Sequence, residues 1–279
     1  MIVAIVVLFG LVLGSFVNAL VWRLHEQDML HGKKTKTAAK RRAALSITKG
    51  RSMCPHCGHE LAAKDLVPLF SWLYLRGKCR YCQTPISRQY PIVEAATAAL
   101  FAWSYLAWPY GLHGVGLFQL MCWLLMLVGF VALAVYDLRW FTLPDRIVLP
   151  LTVLGLVLVA VSAVWVQRFT ALWQPLVAAA IIFGLFYVLY QASGGKWIGG
   201  GDVKLAGVLG LLAATPAKAF LVIFVASLLG TLGSLPALVK GKRGLGMHIP
   251  FGPYLLLGTV LTVLYGTQLI NWYQSLLVG

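Results

Sequence analysis

The chain has 279 residues, of which 60% are hydrophobic and only 11% are charged, and its mean hydropathy is +0.83. This composition excludes an ordinary soluble domain, because several stretches stay apolar for about 20 residues, the length that crosses a bilayer. The 23 Lys and Arg outnumber the 8 Asp and Glu, leaving a formal net charge of +15.

Eight apolar segments are expected as helices, at roughly 1–23, 91–108, 115–136, 147–166, 173–191, 203–214, 217–239 and 253–276. The expected fold is therefore an all-α polytopic membrane protein of about eight transmembrane helices, with a small domain between the first two. No small-residue cleavage site follows the first segment, so it reads as a retained helix and not a signal peptide. The expected organisation is a first transmembrane helix at 1–24, a cytoplasmic loop at 25–90 and a helical membrane domain at 91–279.

The segment between the first two helices carries Cys54-Pro-His-Cys57 and Cys79-Arg-Tyr-Cys82, a C-x2-C pair repeated after a 21-residue gap. This is the spacing of two zinc knuckles that bring four thiolates into one tetrahedron, here within about residues 52–88. Two disulfides are the competing reading, and a reducing cytosol weighs against them. A redox CxxC is the third, with no βαβ pattern nearby to support it. About 60 residues make too small a core to be stable on hydrophobic burial alone, so a structural metal would supply folding energy. His56 and His59 read as bystanders, and Cys122 as a small buried apolar residue.

The stretch 33–51, KKTKTAAKRRAALSITKGR, is basic and poor in large apolar groups. Two readings stay open: a solvated or disordered loop, and a surface drawn to anionic lipid headgroups. Nucleic acid is not an expected partner, since no aromatic stacking platform or DNA-reading motif accompanies the charge.

Orientation follows from the Lys and Arg of the short loops. Arg139, Arg146, Lys196, Lys204, Lys240, Lys242 and Arg243 fall on one side and Arg168 and Lys218 on the other, so the first side is expected to be cytoplasmic. Segment 25–90 lies on that same side with thirteen Lys/Arg against four Asp/Glu, net +9. The short segment 203–214 spans only about 18 Å and is expected to be tilted, capped by irregular backbone or close to a water-filled cavity.

Two carboxylates stand at the cytoplasmic ends of apolar helices: Asp137, in VYDLRWFTLPD, and Asp202, in GGKWIGGGDVKLAG. Such groups are expensive at a membrane and mark function by default. A pair of them, with no other nucleophile in view, suits water attack on a peptide bond, one acid ionised as base and the other protonated as acid. Gly199, Gly200, Gly201 and Lys204 are expected to support this loop, the glycines by letting an extended substrate backbone approach the acid. Each acid also has a plainer reading. Asp202 and Asp145 suit helix N-caps, and Asp137 can pair with Arg139 at a helix end. On the N-cap reading, Asp145→Asn is expected to stay substantially active.

On these and further motifs the chain resembles the type IV prepilin peptidases, bifunctional leader peptidases and N-methyltransferases within the GxGD intramembrane aspartyl proteases. The resemblance is carried by GSFVNALVWRL at 14–24, the cysteine segment at 54–87, YPIVEAATAALF at 90–101, DLRWFTLPD at 137–145, GGGDVKLAG at 199–207 and IPFGPYLLLG at 249–258. It departs at His25, where a proline usually follows Arg-Leu, at Gln89, where a basic residue often precedes Tyr-Pro, and in the insert at 33–51. It implies that Asp137 and Asp202 are the catalytic pair and that Cys54, Cys57, Cys79 and Cys82 bind zinc. It also implies a bacterial inner-membrane enzyme that removes the short basic leader of prepilins or pseudopilins at the cytoplasmic face, then methylates the new N-terminus from S-adenosylmethionine.

The methyl-donor site is not legible in the residues, because no glycine-rich βα turn is present. Glu94 is the one candidate contributor, against a plainer pairing with Arg88. Three rival functions stay in view: another GxGD protease such as a preflagellin peptidase, an ion-coupled transporter using the two aspartates, and a noncatalytic scaffold with a zinc-knuckle docking domain. The oligomeric state is not legible.

Overall fold

The computed structural model describes residues 1–32, 35–47, 50–239 and 250–278. All eight expected segments are helices. They are α1 (Ile2–Met29), α4 (Gln89–Leu106), α5 (Gly114–Trp140), α6 (Asp145–Val166), α7 (Thr170–Ser193), α8 (Gly200–Ala213), α9 (Pro216–Val239) and α10 (Gly252–Val278), with the short helices α2 (Lys36–Ala44) and α3 (Phe70–Tyr74) between the first two. Among the described residues, six helices (α1, α5, α6, α7, α9 and α10) are long and apolar enough to cross a membrane. The chain is a helical multi-pass membrane protein. Lys240, Lys242, Arg243 and Ile249 lie outside the described residues. Packing divides the chain into two units, Met1–Leu106 and Ala107–Gly279.

In the first unit α1 packs against α4 through small residues spaced four apart. A Cβ on Gly10 would lie 2.6 Å from Ala98 Cα, and one on Gly14 2.7 Å from Glu94 Cα. One turn further on, Asn18 Nδ2 donates to the Tyr90 carbonyl at 3.1 Å. Residues 10, 14 and 18 thus meet 98, 94 and 90, which makes the helices antiparallel. Lipid supplies no hydrophobic drive for pairing helices, so close backbone approach along such a stripe is what holds them together.

Among its described residues, 35–47 and 50–51, the basic stretch is largely exposed but forms a short helix and not a structureless loop. Thr35 accepts from the Ala38 N–H and starts α2, and the stretch then folds back onto α1. Arg23, itself buried, donates to the carbonyls of Ser46 (3.0 Å), Ile47 (3.3 Å) and Gly50 (3.0 Å). Gln27 Nε2 donates to the Leu45 carbonyl at 2.8 Å, Glu26 pairs with Arg41 at 2.9 Å, and Arg42 donates to the Leu30 carbonyl. The sequence signal for a loop was low apolar content, but Leu45 is buried and one buried guanidinium satisfies three carbonyls.

The cysteine module is an internal repeat offset by 25 positions. Isolated bridges join Met53 to Glu60 and Lys78 to Pro85. In each knuckle the N–H of the first cysteine is bonded at 2.9 Å, Cys54 to the His59 carbonyl and Cys79 to the Thr84 carbonyl. The residue after each second cysteine has positive φ, +69° at Gly58 and +58° at Gln83. Asp65 ties the halves together: it accepts from Arg80 Nε at 2.7 Å, the Tyr81 hydroxyl at 3.0 Å and the Ala62 N–H at 3.3 Å. Burial pushes its pKa up, but Arg80, Tyr81 and Ala62 together outweigh that and hold it below the usual carboxylate value.

In the second unit α8 has only 14 residues, about 21 Å of helix at 1.5 Å per residue, short of the roughly 30 Å hydrocarbon thickness. Beyond Lys204 it is apolar all round, as a helix enclosed by protein should be. Leu205, Ala206, Val208, Leu209 and Ala213 have no exposed surface, and α8 packs against α6, α7, α9 and α10. Gly210 makes the tightest of these contacts, since a Cβ there would lie 2.3 Å from Ala179 Cα.

Candidate functional site

The acids of the second unit are Asp137, Asp145 and Asp202. Asp137 lies three residues before the end of α5, where Phe141 turns left-handed (φ +54°) and sends the chain through Pro144 into α6. Its side chain is buried. The carboxylate does not turn to Arg139, whose guanidinium lies 5.7 Å over the Trp140 ring. Instead Oδ2 accepts the N–H of Gly252 at 3.1 Å, the first residue of α10, so the positive end of that helix faces the acid. A Cβ on Gly252 would lie 2.7 Å from the same oxygen. Glycine is what lets the helix end approach. The sequence motif IPFGPY contains Gly252, but nothing in the pattern shows that it meets an acid 115 positions away.

Asp202 is not the N-cap of α8. Gly199 occupies that position, and Asp202 stands in the first turn with no side-chain cap bond. Its Oδ1 is buried without a hydrogen-bond partner. Gly201, next to Asp202, meets Leu143 six residues after Asp137, and Gly252 meets Asp137 itself, so the ends of α5, α8 and α10 adjoin around the two predicted acids. The bare faces of the glycines are taken up within the chain. A Cβ on Gly201 would lie 2.9 Å from Leu143 Cβ, one on Gly200 3.7 Å from the Tyr190 ring, and one on Gly199 3.4 Å from Asp202 Oδ2. Gly199 thus faces the carboxylate, and the other two let neighbouring elements close in.

Asp145 is not a cap either. Pro144 precedes α6 as its N-cap, and Asp145 receives Lys204 Nζ on both carboxylate oxygens, at 2.8 Å each. Sequence spacing gives no hint of a partner 59 positions away.

In the first unit Glu94 is buried and does not turn to Arg88. Its Oε2 accepts the Leu69 N–H at 2.8 Å, at a residue with strained backbone (φ +60°). The four sulfurs of Cys54, Cys57, Cys79 and Cys82 lie within 4.8 Å of one another, and Cys54 and Cys82 Sγ are 3.9 Å apart. A tetrahedral ion with bonds of about 2.3 Å needs sulfur separations of about 3.8 Å, so this set fits zinc. The Thr84 hydroxyl and N–H favour the Cys82 thiolate and bring its pKa down to about 6. His59 packs against Tyr81 with the two rings tilted, centroids 3.7 Å apart, and Cys122 is buried in α5.

These features define a class: a multi-pass helical membrane protein with a carboxylate pair at converging helix ends and a four-thiol module. Residues 8–108 match the bacterial peptidase A24 N-terminal domain and residues 123–235 the type IV leader peptidase family. The chain is 33% identical over 270 residues to a prepilin leader peptidase/N-methyltransferase of Stutzerimonas stutzeri, covering 95% of this chain and 91% of that protein. It is 32% identical over 273 residues to one of Pseudomonas aeruginosa, covering 96% and 91%. It is 34% identical over 264 residues to a type 4 prepilin-like proteins leader peptide-processing enzyme of Escherichia coli O78:H11, covering 91% and 90%. No solved structure matches it. The chain belongs to the type IV leader peptidase family.

Proposed function

We propose that the protein is a membrane-embedded aspartyl peptidase that removes the basic leader of prepilins or pseudopilins, with Asp137 and Asp202 as its catalytic pair. The observation that carries this reading is the buried Asp202 oxygen with no partner, beside a second carboxylate held by the end of α10. A buried polar atom without a partner is costly and calls for a reason, and water or a scissile carbonyl supplies one. Two close carboxyls share one proton, because like charges cannot both ionise cheaply. The ionised member takes a proton from the attacking water while the protonated member polarises the peptide carbonyl. Gly252 N–H keeps Asp137 aimed.

The positive charge of the loops supports a location of the site and the cysteine module at the cytoplasmic face of a bacterial inner membrane. Cys54, Cys57, Cys79 and Cys82 hold one zinc as a structural ion, which supplies folding energy to a module with little core. The relatives' names also support N-methylation of the new N-terminus, with S-adenosylmethionine as donor of the methyl group. Among the described residues there is no β-strand, so the strand–glycine–helix cradle common in such enzymes is not what would hold it, and no residue is assigned to it. The test is incubation of the purified protein with a prepilin. A product lighter by the leader supports the reading, and an intact prepilin refutes it.

A further inference from the structure

We propose that Asp145 and Lys204 form a positioning pair that sets the spacing between Asp137 and Asp202, an inference that rests on reading those two acids as the catalytic pair. Asp145 opens α6 at the far end of the short connection that leaves Asp137. Lys204 stands in the first turns of α8, two residues after Asp202. Lys204 Nζ meets both Asp145 oxygens at 2.8 Å, which ties the connection after one acid to the helix that carries the other. A second contact makes this a seam: Leu143, in the same connection, fills the space that a side chain on Gly201 would occupy, 2.9 Å from its Cβ position. Polar and apolar contacts thus close the same two segments on either side of Asp202.

Both partners are 54% exposed. A pair that open to water adds little to folding, so its effect falls on the geometry of the first turn of α8 more than on the stability of the bundle. Small displacements there matter, since a misplacement of about 1 Å at a reacting centre costs about a hundredfold in rate. Lys204→Met and Asp145→Ala therefore each lower kcat about tenfold, with KM for prepilin unchanged within about twofold.

The discriminating measurement is a double-mutant cycle on the full-length protein, cutting a purified prepilin. Two groups that act only through each other are not additive, so the double variant is as active as either single one, and Lys204→Arg recovers most of the loss. Hydrogen exchange at residues 202–206 reads the seam without substrate and should quicken in Lys204→Met while the rest of α8 is unchanged. Wild-type kcat in both single variants, an additive loss of about a hundredfold in the double, or unchanged exchange would each overturn the proposal. A wild-type protein that leaves prepilin uncut would instead refute the peptidase reading.

Discussion

Replacing Gly252 by alanine tests the contact between α10 and Asp137 on its own. The new methyl would sit 2.7 Å from Asp137 Oδ2 and 3.3 Å from its Cγ, where ordinary contact begins at 3.4 Å. The carboxylate must retreat by about 0.7 Å and loosen the 3.1 Å bond from the Gly252 N–H. The obstacle is a side chain that can turn, so the fold should survive. The site should not, because an offset approaching 1 Å at a reacting group costs up to about a hundredfold. We expect kcat to fall about 10- to 100-fold, or about 1.4–2.7 kcal/mol of transition-state stabilisation, with the melting temperature within a few degrees of wild type. Gly184→Ala in α7 is the control, since its added Cβ meets nothing within 4 Å, and alanine suits a helix better. The assay is cleavage of a purified prepilin followed by gel or mass spectrometry. A folded Gly252→Ala protein with wild-type turnover would show that the α10 contact does not hold Asp137 for catalysis.

Further expectations concern the metal and the packing. The purified protein should carry about one zinc per chain by elemental analysis, lost when Cys54 and Cys57 or Cys79 and Cys82 are changed to serine; stoichiometric disulfides and no metal in a gently prepared sample would refute this. Arg23→Ala leaves three carbonyls without their donor and should cost about 2–4 kcal/mol locally, read as faster tryptic cutting within residues 36–51; unchanged cutting would show that the insert holds itself. Gly210→Ala puts a Cβ 2.3 Å from backbone on α7 and should cost more than about 2 kcal/mol, seen as a lower melting temperature; an unshifted one would mean that α7 and α8 can separate freely.

Much of the architecture was legible because hydropathy is a local property: all eight apolar segments became helices, and Cys54, Cys57, Cys79 and Cys82 converge as their repeat suggested. What was not legible depends on partners distant in sequence. Asp145 and Asp202 both look like N-caps, since each precedes an apolar run, yet Pro144 and Gly199 hold those positions. Asp145 is engaged by Lys204, and one oxygen of Asp202, Oδ1, is left without a partner. Glu94 looks like a surface glutamate next to Arg88, but the close approach at Gly14 buries it and turns it to Leu69. The basic stretch hides its anchor because Arg23, which holds it, lies in the preceding helix. Gly252 shows the same limit: a glycine in a motif says that something comes close, and only the fold says that it is Asp137.

On the reading proposed above, Asp137 and Asp202 perform the hydrolysis together. One prepilin incubated with wild-type protein, Asp137→Asn and Asp202→Asn at matched concentrations, with the products weighed, tests this. An amide cannot act as the base or share the proton, so each variant should insert and fold normally yet cut several orders of magnitude more slowly. Near wild-type cleavage by either folded variant would remove that residue from the pair and show that the two acids do not work together.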